Sequence, residues 1–237
     1  MPGITFTTDG SDSNFFIFVV ESPFESEVRS STSEGKAIAQ VLALSGVPTQ
    51  VLAVADAEEL ERCIRIDFVR AGMHQHNGRV PVLHLSAHGD LDGLKLRNGA
   101  VPWSHVANWM SDVNWEYFGT VLASISACRG LQGYQGALGR HPERLPFMTL
   151  VGSTAEPRWG QSAAAFVALY TQLAYGSSIR TAVEAMRWAS RHAEWDFVLG
   201  DELVALGNSI DLTLGEILVA RRDLIDRVHS QEPLGPA

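Results

Sequence analysis

A cysteine and a histidine each follow a strand-like apolar segment, in positions suited to nucleophilic chemistry. Segment 83–89 ends with His88 followed by a glycine, and segment 124–130 carries Cys128 directly after its apolar part. An imidazole takes the proton of a neighbouring thiol, and the resulting thiolate attacks carbonyl carbon readily. The two residues therefore predict covalent acyl chemistry at Cys128, with His88 as the base.

The spacing between His88 and Cys128 suits one crossover between neighbouring parallel strands, through a helix near Trp103. Both residues would then lie at the carboxyl ends of their strands, where ligands collect in open parallel sheets. The backbone N–H groups of Gly89 and Cys128 would point toward a carbonyl under attack. We therefore predict that these two groups form an oxyanion hole.

The elements that must position these residues alternate between strand and helix. Apolar segments of strand length alternate with segments of helical period, which indicates an α/β fold. We expect a mostly parallel sheet of about six strands with helices on both faces. The predicted strands are 15–20, 49–54, 80–86, 119–126, 146–151 and a short 196–199. The predicted helices include 35–44, 57–66, 163–173, 179–192 and 211–226.

Composition favours one folded domain. The 237 residues are 46% hydrophobic and 19% charged, which suits a single core of residues 15–230 between a flexible arm, 1–14, and a frayed tail, 231–237.

A net charge of −9 without a cluster of Lys or Arg argues against nucleic acid as a partner. Two cysteines indicate a reducing compartment, and we expect a cytoplasmic protein. The apolar runs are too short to cross a membrane.

The two motifs resemble those of the caspase-like (clan CD) cysteine peptidases, which carry His-Gly after one strand and Ala-Cys after the next. Here these pairs are His88-Gly89 and Ala127-Cys128, and Ser126 stands where caspases have Gln. The bacterial CHAT branch is closer still, since residues 86–96 read Ser-Ala-His-Gly-Asp-Leu-Asp-Gly-Leu-Lys-Leu ahead of a Trp-led helix. Residues 166–176 and 181–189 also look like the terminal helix pair of that branch.

The resemblance covers most of the chain and implies a caspase-like three-layer sandwich. It also implies an endopeptidase that cleaves a protein or peptide substrate through an acyl-enzyme on Cys128. Relatives often act in bacterial defence or signalling, which implies activation by a protein partner, a ligand or self-cleavage. A catalytically silent caspase-like module that binds a partner is the alternative. An α/β hydrolase or a flavodoxin-like protein is disfavoured, because Gly-x-Ser-x-Gly and a glycine-rich phosphate loop are absent.

The resemblance further implies where the substrate side chain before the cut bond would enter. In relatives that pocket is lined by the loop after the first strand, the residue two before the cysteine and the loop after the fifth strand. An acidic pocket favours Lys or Arg and an Arg pocket favours Asp or Glu, so the preference stays open with a leaning toward basic or small residues. The residues at these places are Glu21, Ser126 and Glu156, with Arg29 and Arg158 nearby.

Other reactive side chains have simpler interpretations. Cys63 lies on the apolar face of a helix and His84 lies inside a strand, so we expect both in the core. The remaining histidines lack the spacing of metal ligands, and we propose neither a metal nor a cofactor. Trp159 lies in the polar stretch 152–160 after the fifth strand, where substrate binding and packing are equally plausible.

Overall fold

A computed structural model describes residues 8–9, 12–23, 33–131 and 145–200. Two stretches of π-helix, Cys63–Phe68 and Ala71–Gln75, follow the α-helix Ala57–Arg62. The strands are β1 (Thr8–Asp9), β2 (Asp12–Ser13), β3 (Phe15–Ser22), β4 (Thr49–Ala53), β5 (Val80–Gly89), β6 (Gly93–Leu96), β7 (Gly99–Pro102), β8 (Leu122–Ser126), β9 (Thr149–Ser153) and β10 (Trp195–Leu199). The helices are α1 (Glu34–Ala43), α2 (Ala57–Arg62), α3 (Trp103–Glu116), α4 (Trp159–Ala174) and α5 (Ile179–Ser190).

The main sheet has the strand order β10-β9-β8-β5-β3-β4. Its pairs are parallel from β9 to β4, while β10 runs antiparallel to β9 at one edge. The hairpin β6–β7 attaches to the end of β5. The predicted α/β class with a mostly parallel sheet is confirmed.

Both faces of the sheet are covered by helices, so the fold is a three-layer sandwich. Successive side chains of β3 alternate between two apolar clusters, as the period of a strand requires. Phe16 and Phe18 pack with α2 and α3, whereas Phe15 and Ile17 pack with α1, α4 and α5. Each such buried side chain contributes roughly 1.5–3 kcal/mol of transfer free energy, which is why the central strand reads as continuously apolar.

Helix starts follow local capping chemistry. The Ser33 side chain accepts a hydrogen bond from the Lys36 N–H at the start of α1, and Asp56 does the same for Glu59 at the start of α2. These caps satisfy N–H groups that have no partner within the helix. They fix where α1 begins, and this start places Glu34 against the sheet.

Several predicted boundaries were wrong. The strand predicted at 80–86 continues to Gly89, because its end pairs with β6. The strand predicted from residue 119 begins at Leu122, since Gly119 has a φ of 79° and terminates the turn after α3. Trp159 was predicted in a loop, but it is the first residue of α4, which begins four residues before the predicted start.

Part of the predicted arm forms a short antiparallel ladder, in which Thr8 pairs with Ser13 and Asp9 with Asp12. The flexibility of residues 1–14 and the single domain at 15–230 stay predictions. The predicted helix at 211–226 and the tail at 231–237 lie outside the described residues.

Candidate active site

Parallel pairing of β5 with β8 brings the two motifs to one edge of the sheet. Ser86 lies opposite Ser126 in this ladder, and His88 and Cys128 each follow two residues later. The two residues therefore lie at the carboxyl ends of neighbouring strands, where open parallel sheets collect ligands. The predicted adjacency of these two strands is confirmed.

Gly89 packs against the turn that carries Cys128. A Cβ placed on Gly89 would lie 3.0 Å from the Ala127 Cβ and 3.3 Å from the Cys128 carbonyl oxygen. A larger residue would push the strand ends apart, so glycine at this position permits the close approach. The His-Gly and Ala-Cys motifs are thus in contact, while the oxyanion role of their N–H groups stays a prediction.

The imidazole of His88 is half-buried and lies beside Trp159. Their ring centroids are 6.3 Å apart and the ring planes differ by 15°. Aromatic pairs attract one another over this range of separation. The start of α4 therefore bounds one side of the predicted base.

Cys128 lies at the start of a sharp turn and is half-buried. Arg129 has a φ of 55°, which is unusual for a residue with a side chain and costs roughly 1–2 kcal/mol. Two backbone bonds hold this turn. The Gly130 N–H donates to Ala127 at 3.1 Å, and the Arg129 N–H donates to Ala155 at 2.9 Å. The loop after β9 thus fixes the backbone next to the thiol.

Burial raises the pKa of the Cys128 thiol, and the carboxylate of Glu156 raises it further. The thiol's own backbone N–H and the Arg129 guanidinium act in the opposite direction, but the net direction is upward. A resting thiol is therefore favoured over a thiolate. Nucleophilic attack from this arrangement requires a base to take the proton during the reaction.

Glu156 is exposed and pairs with the residue that follows Cys128. Its Oε1 lies 3.1 Å from the Arg129 Nε, and both side chains reach solvent. Exposed pairs of this kind contribute little to stability, with typical values of about 0.2–1 kcal/mol. Glu156 therefore retains access to a bound substrate, as its predicted pocket role requires.

Glu21 is placed differently. It is buried near the end of β3, where its carboxylate accepts hydrogen bonds from the Ser33 hydroxyl at 2.7 and 2.8 Å and from the Gly35 N–H at 3.1 Å. A carboxylate at a helix N-terminus is stabilised by the helix dipole. Through these contacts Glu21 anchors the start of α1. Its role in substrate binding stays a prediction.

Ser126 points into the protein, toward a carboxylate that sequence reasoning did not select. Its hydroxyl donates to the Glu34 Oε2 at 2.9 Å, and the hydroxyl of Ser86 donates to the same oxygen at 2.9 Å. All three side chains are buried. An acidic residue in the first turn of a helix is an ordinary start signal, so no sequence pattern indicated these contacts.

A buried histidine continues this polar cluster, and its interior hydrogen bond confirms the prediction for His84. The Nε2 of His84 is 3.4 Å from the Glu34 Oε1, and its Nδ1 is 2.8 Å from the Tyr170 hydroxyl. Burial raises the pKa of Tyr170 far above its usual range, so the phenol stays neutral. Cys63 is also buried, as predicted.

The described residues, 8–9, 12–23, 33–131 and 145–200, also bear on metal binding and membrane insertion. Among those residues, no three His, Cys, Asp or Glu side chains are grouped closely enough to hold a metal ion. Within the same ranges, every helix is too short or too polar to cross a bilayer.

No protein-family model matches the chain, and no curated protein matches it in sequence.

Proposed function

We propose that the chain is a caspase-like cysteine endopeptidase that cleaves a partner protein through an acyl-enzyme on Cys128. The observation that carries this proposal is the placement of His88 and Cys128 at the carboxyl ends of two paired parallel strands. The close approach of Gly89 to the Ala127 Cβ and the Cys128 carbonyl supports it, because it keeps the two motifs close together.

The proposed reaction has two steps. The imidazole of His88 takes the thiol proton while the Cys128 sulfur attacks the scissile carbonyl carbon, and the N–H groups of Gly89 and Cys128 stabilise the oxyanion. The imidazolium returns its proton to the leaving amine as the C–N bond breaks. Water, deprotonated by His88, then attacks the thioester, which releases the acid and the free thiol.

The alternative is a catalytically silent module of the same fold that binds a partner. The raised pKa of Cys128 favours this alternative, since an activated cysteine carries a lowered one. The peptidase proposal accounts for the same observation if a partner, a ligand or self-cleavage activates a resting enzyme. Work in a bacterial defence or signalling system in the cytoplasm is the setting that the motif resemblance supports.

The test is labelling with a peptide electrophile, followed by cleavage of a randomised peptide library. We expect the label on Cys128, and complete loss of cleavage in Cys128→Ala with an unchanged melting temperature. His88→Ala should lower kcat/KM by about a hundredfold or more, as expected for loss of a general base. The double variant should be no worse than Cys128→Ala, because the two residues act as a unit.

Matched controls are available on other elements. Cys63→Ala should lower the melting temperature, because it removes a buried side chain, while it preserves labelling. His105→Ala removes an exposed imidazole on α3 and should change neither property. Turnover that survives in Cys128→Ala would exclude the mechanism. Failure of any peptide to react, with or without candidate partners, would favour the silent module.

A further inference from the structure

Glu34 forms hydrogen bonds with both strands that carry the candidate active site. Its Oε2 accepts hydrogen bonds of 2.9 Å from Ser86 on β5 and from Ser126 on β8. The two serines lie opposite each other in the parallel ladder. One carboxylate oxygen therefore bridges two neighbouring strands from the side of α1.

The two bridged serines are close in sequence to the candidate dyad. Side chains two residues apart on a strand point to the same face of the sheet. His88 follows Ser86 by two residues on β5, so these two side chains share a face, whereas Cys128 follows Ser126, the last residue of β8, by two residues in a turn. The pair of Ser86 and Ser126 is the last of the β5–β8 ladder, so a change in their separation would shift the segments that carry the imidazole and the thiol.

The second oxygen of the carboxylate lies near a buried histidine. Its Oε1 lies 3.4 Å from the Nε2 of His84, whose Nδ1 is 2.8 Å from the hydroxyl of Tyr170 on α4. The Oε1 and Nε2 atoms are close but not aligned as a hydrogen bond, and neither has another hydrogen-bond partner among the described residues. The bridging carboxylate thus faces a histidine of β5 that is itself bonded to α4.

Burial argues for a role inside the protein. Glu34 is 1% exposed, Ser86 1% and Ser126 3%, so a substrate side chain does not reach this carboxylate in the described arrangement. Burying an ionised carboxylate is costly, and well-packed apolar side chains often stabilise a core as well or better. A polar network with few geometric solutions instead favours one spacing of the groups that it joins.

We propose that Glu34 is a positioning residue, which sets the separation of His88 and Cys128 by bridging Ser86 and Ser126. The proposal rests on the proposed function, since it assigns Glu34 to the same site. Glu34 touches neither substrate nor reacting atoms. It acts through the two serines, and each serine variant should reproduce part of the effect of changing Glu34.

The test compares Ser86→Ala, Ser126→Ala, Glu34→Ala and Glu34→Gln with the control Ser111→Ala. Ser111 is a buried serine whose hydroxyl donates to its own helix, at Ala107, and not to the site. Gln at position 34 keeps a carbonyl that accepts from both serines. The serine variants remove one hydroxyl each, so they remain informative if Glu34→Ala does not fold.

Three readouts separate this proposal from the proposed function. The first is hydrogen exchange at the backbone amides of β5 and β8, which needs no activity. The second is the rate of Cys128 alkylation by iodoacetamide, with and without His88→Ala. The third is kcat and KM for a cleaved peptide.

We expect faster exchange at the ends of both strands in each serine variant and in Glu34→Ala. We also expect kcat to fall about ten- to a hundredfold with KM nearly constant, since a small misplacement of reacting groups costs about that much. Glu34→Gln should restore most of the rate, and Ser111→Ala should match the wild type.

Unchanged exchange and unchanged kcat in both serine variants would overturn the role of Glu34 and leave the dyad standing. A loss confined to peptides with Arg before the cut bond would overturn it too, in favour of a specificity pocket at Glu34. Hydrogen exchange could instead change in the serine variants while His88→Ala leaves the rate of Cys128 alkylation unchanged. The bridge between the strands would then be upheld, and the peptidase proposal would fail.

Discussion

The indole of Trp159 faces the imidazole of His88 at an angle of 15° between the ring planes, with 6.3 Å between centroids. Trp159 is the first residue of α4, and His88 lies near the end of β5. The start of one helix therefore packs against the base predicted for the reaction. Four residues before Trp159, the carbonyl of Ala155 accepts the hydrogen bond from the Arg129 N–H, next to the predicted nucleophile.

Trp159→Ala should loosen the imidazole and slow turnover. Aromatic pairs contribute about 0.5–1.5 kcal/mol beyond their buried area, so we expect a two- to tenfold fall in kcat. Trp159→Phe should retain most of the rate, because it keeps a ring at this position. The measurement is peptide cleavage together with the ring-proton NMR shifts of His88. Trp188→Ala, at an exposed site on α5, serves as the control. Equal kcat in Trp159→Ala and wild type would contradict this prediction.

Glu156→Gln should lower the pKa of Cys128. The Glu156 carboxylate favours the neutral thiol, so its removal favours the thiolate, whereas Arg129→Gln should raise the pKa because it removes a cation that favours the thiolate. The pH dependence of iodoacetamide alkylation reports the midpoint directly. We expect it to move down in the first variant and up in the second. Midpoints that move in the same direction would show that the two charges do not act on the thiol as described.

Gly89→Ala should damage the site more than the fold. The added methyl would meet the Ala127 Cβ at 3.0 Å and the Cys128 carbonyl at 3.3 Å, so the strand ends must separate by a few tenths of an ångström. We expect kcat/KM to fall at least tenfold, since displaced oxyanion donors cost that much or more. Gly160→Ala is the matched control, because a Cβ there meets nothing within 4 Å. A Gly89→Ala enzyme with full activity would argue against the predicted oxyanion hole.

Asp90, which follows the His-Gly motif, should stabilise the protein at neutral but not at acid pH. The Lys95 ammonium lowers its pKa most, and the N–H groups of Asp92 and Gly93 contribute. A carboxyl with a depressed folded pKa stabilises the protein above its unfolded value near 3.9, and this stability is lost as the pH falls through the folded pKa. Asp90→Asn should therefore lower the melting temperature at pH ~7 but not at pH ~2. Asp92→Asn, which keeps the backbone donor, is the control, and an equal loss at both pH values would contradict the charge argument.

Strand positions were predictable because β3, β5 and β8 are buried on both faces and read as continuous apolar runs. The location of His88 and Cys128 at neighbouring strand ends was predictable for the same reason, while their catalytic roles stay predictions. The hairpin β6–β7 was not predicted, because each of its strands has only four residues.

Glu34 illustrates a different limit. Its partners Ser86 and Ser126 are distant in sequence, and nothing local distinguishes a carboxylate that caps a helix from one that turns toward the sheet. Only the packing of α1 on the sheet decides between these positions. Trp159 was predicted in a loop because residues 152–158 before it read as a polar loop, with no signal for a helix start at residue 159.

The residue preferred before the cut bond is the last expectation to test. Glu156 is exposed beside the candidate nucleophile, whereas the Glu21 carboxylate is buried and bonded to Ser33 and Gly35, so Glu156 is the better placed of the two predicted pocket acids. A charge-assisted hydrogen bond from a substrate Arg would add roughly 1.5–3 kcal/mol, or about ten- to a hundredfold in kcat/KM over Ala.

The measurement is the Arg-to-Ala ratio of kcat/KM for paired peptides, compared across wild type, Glu156→Gln and Glu21→Gln. Glu156→Gln should reduce the ratio most. Glu21→Gln should mainly lower the melting temperature, because it weakens the anchor at the start of α1. An unchanged ratio in both variants, or a wild-type preference for Asp before the cut, would reject the acidic pocket. Arg158, exposed directly before α4, would then be the residue to change next, while Arg29 lies outside the described residues.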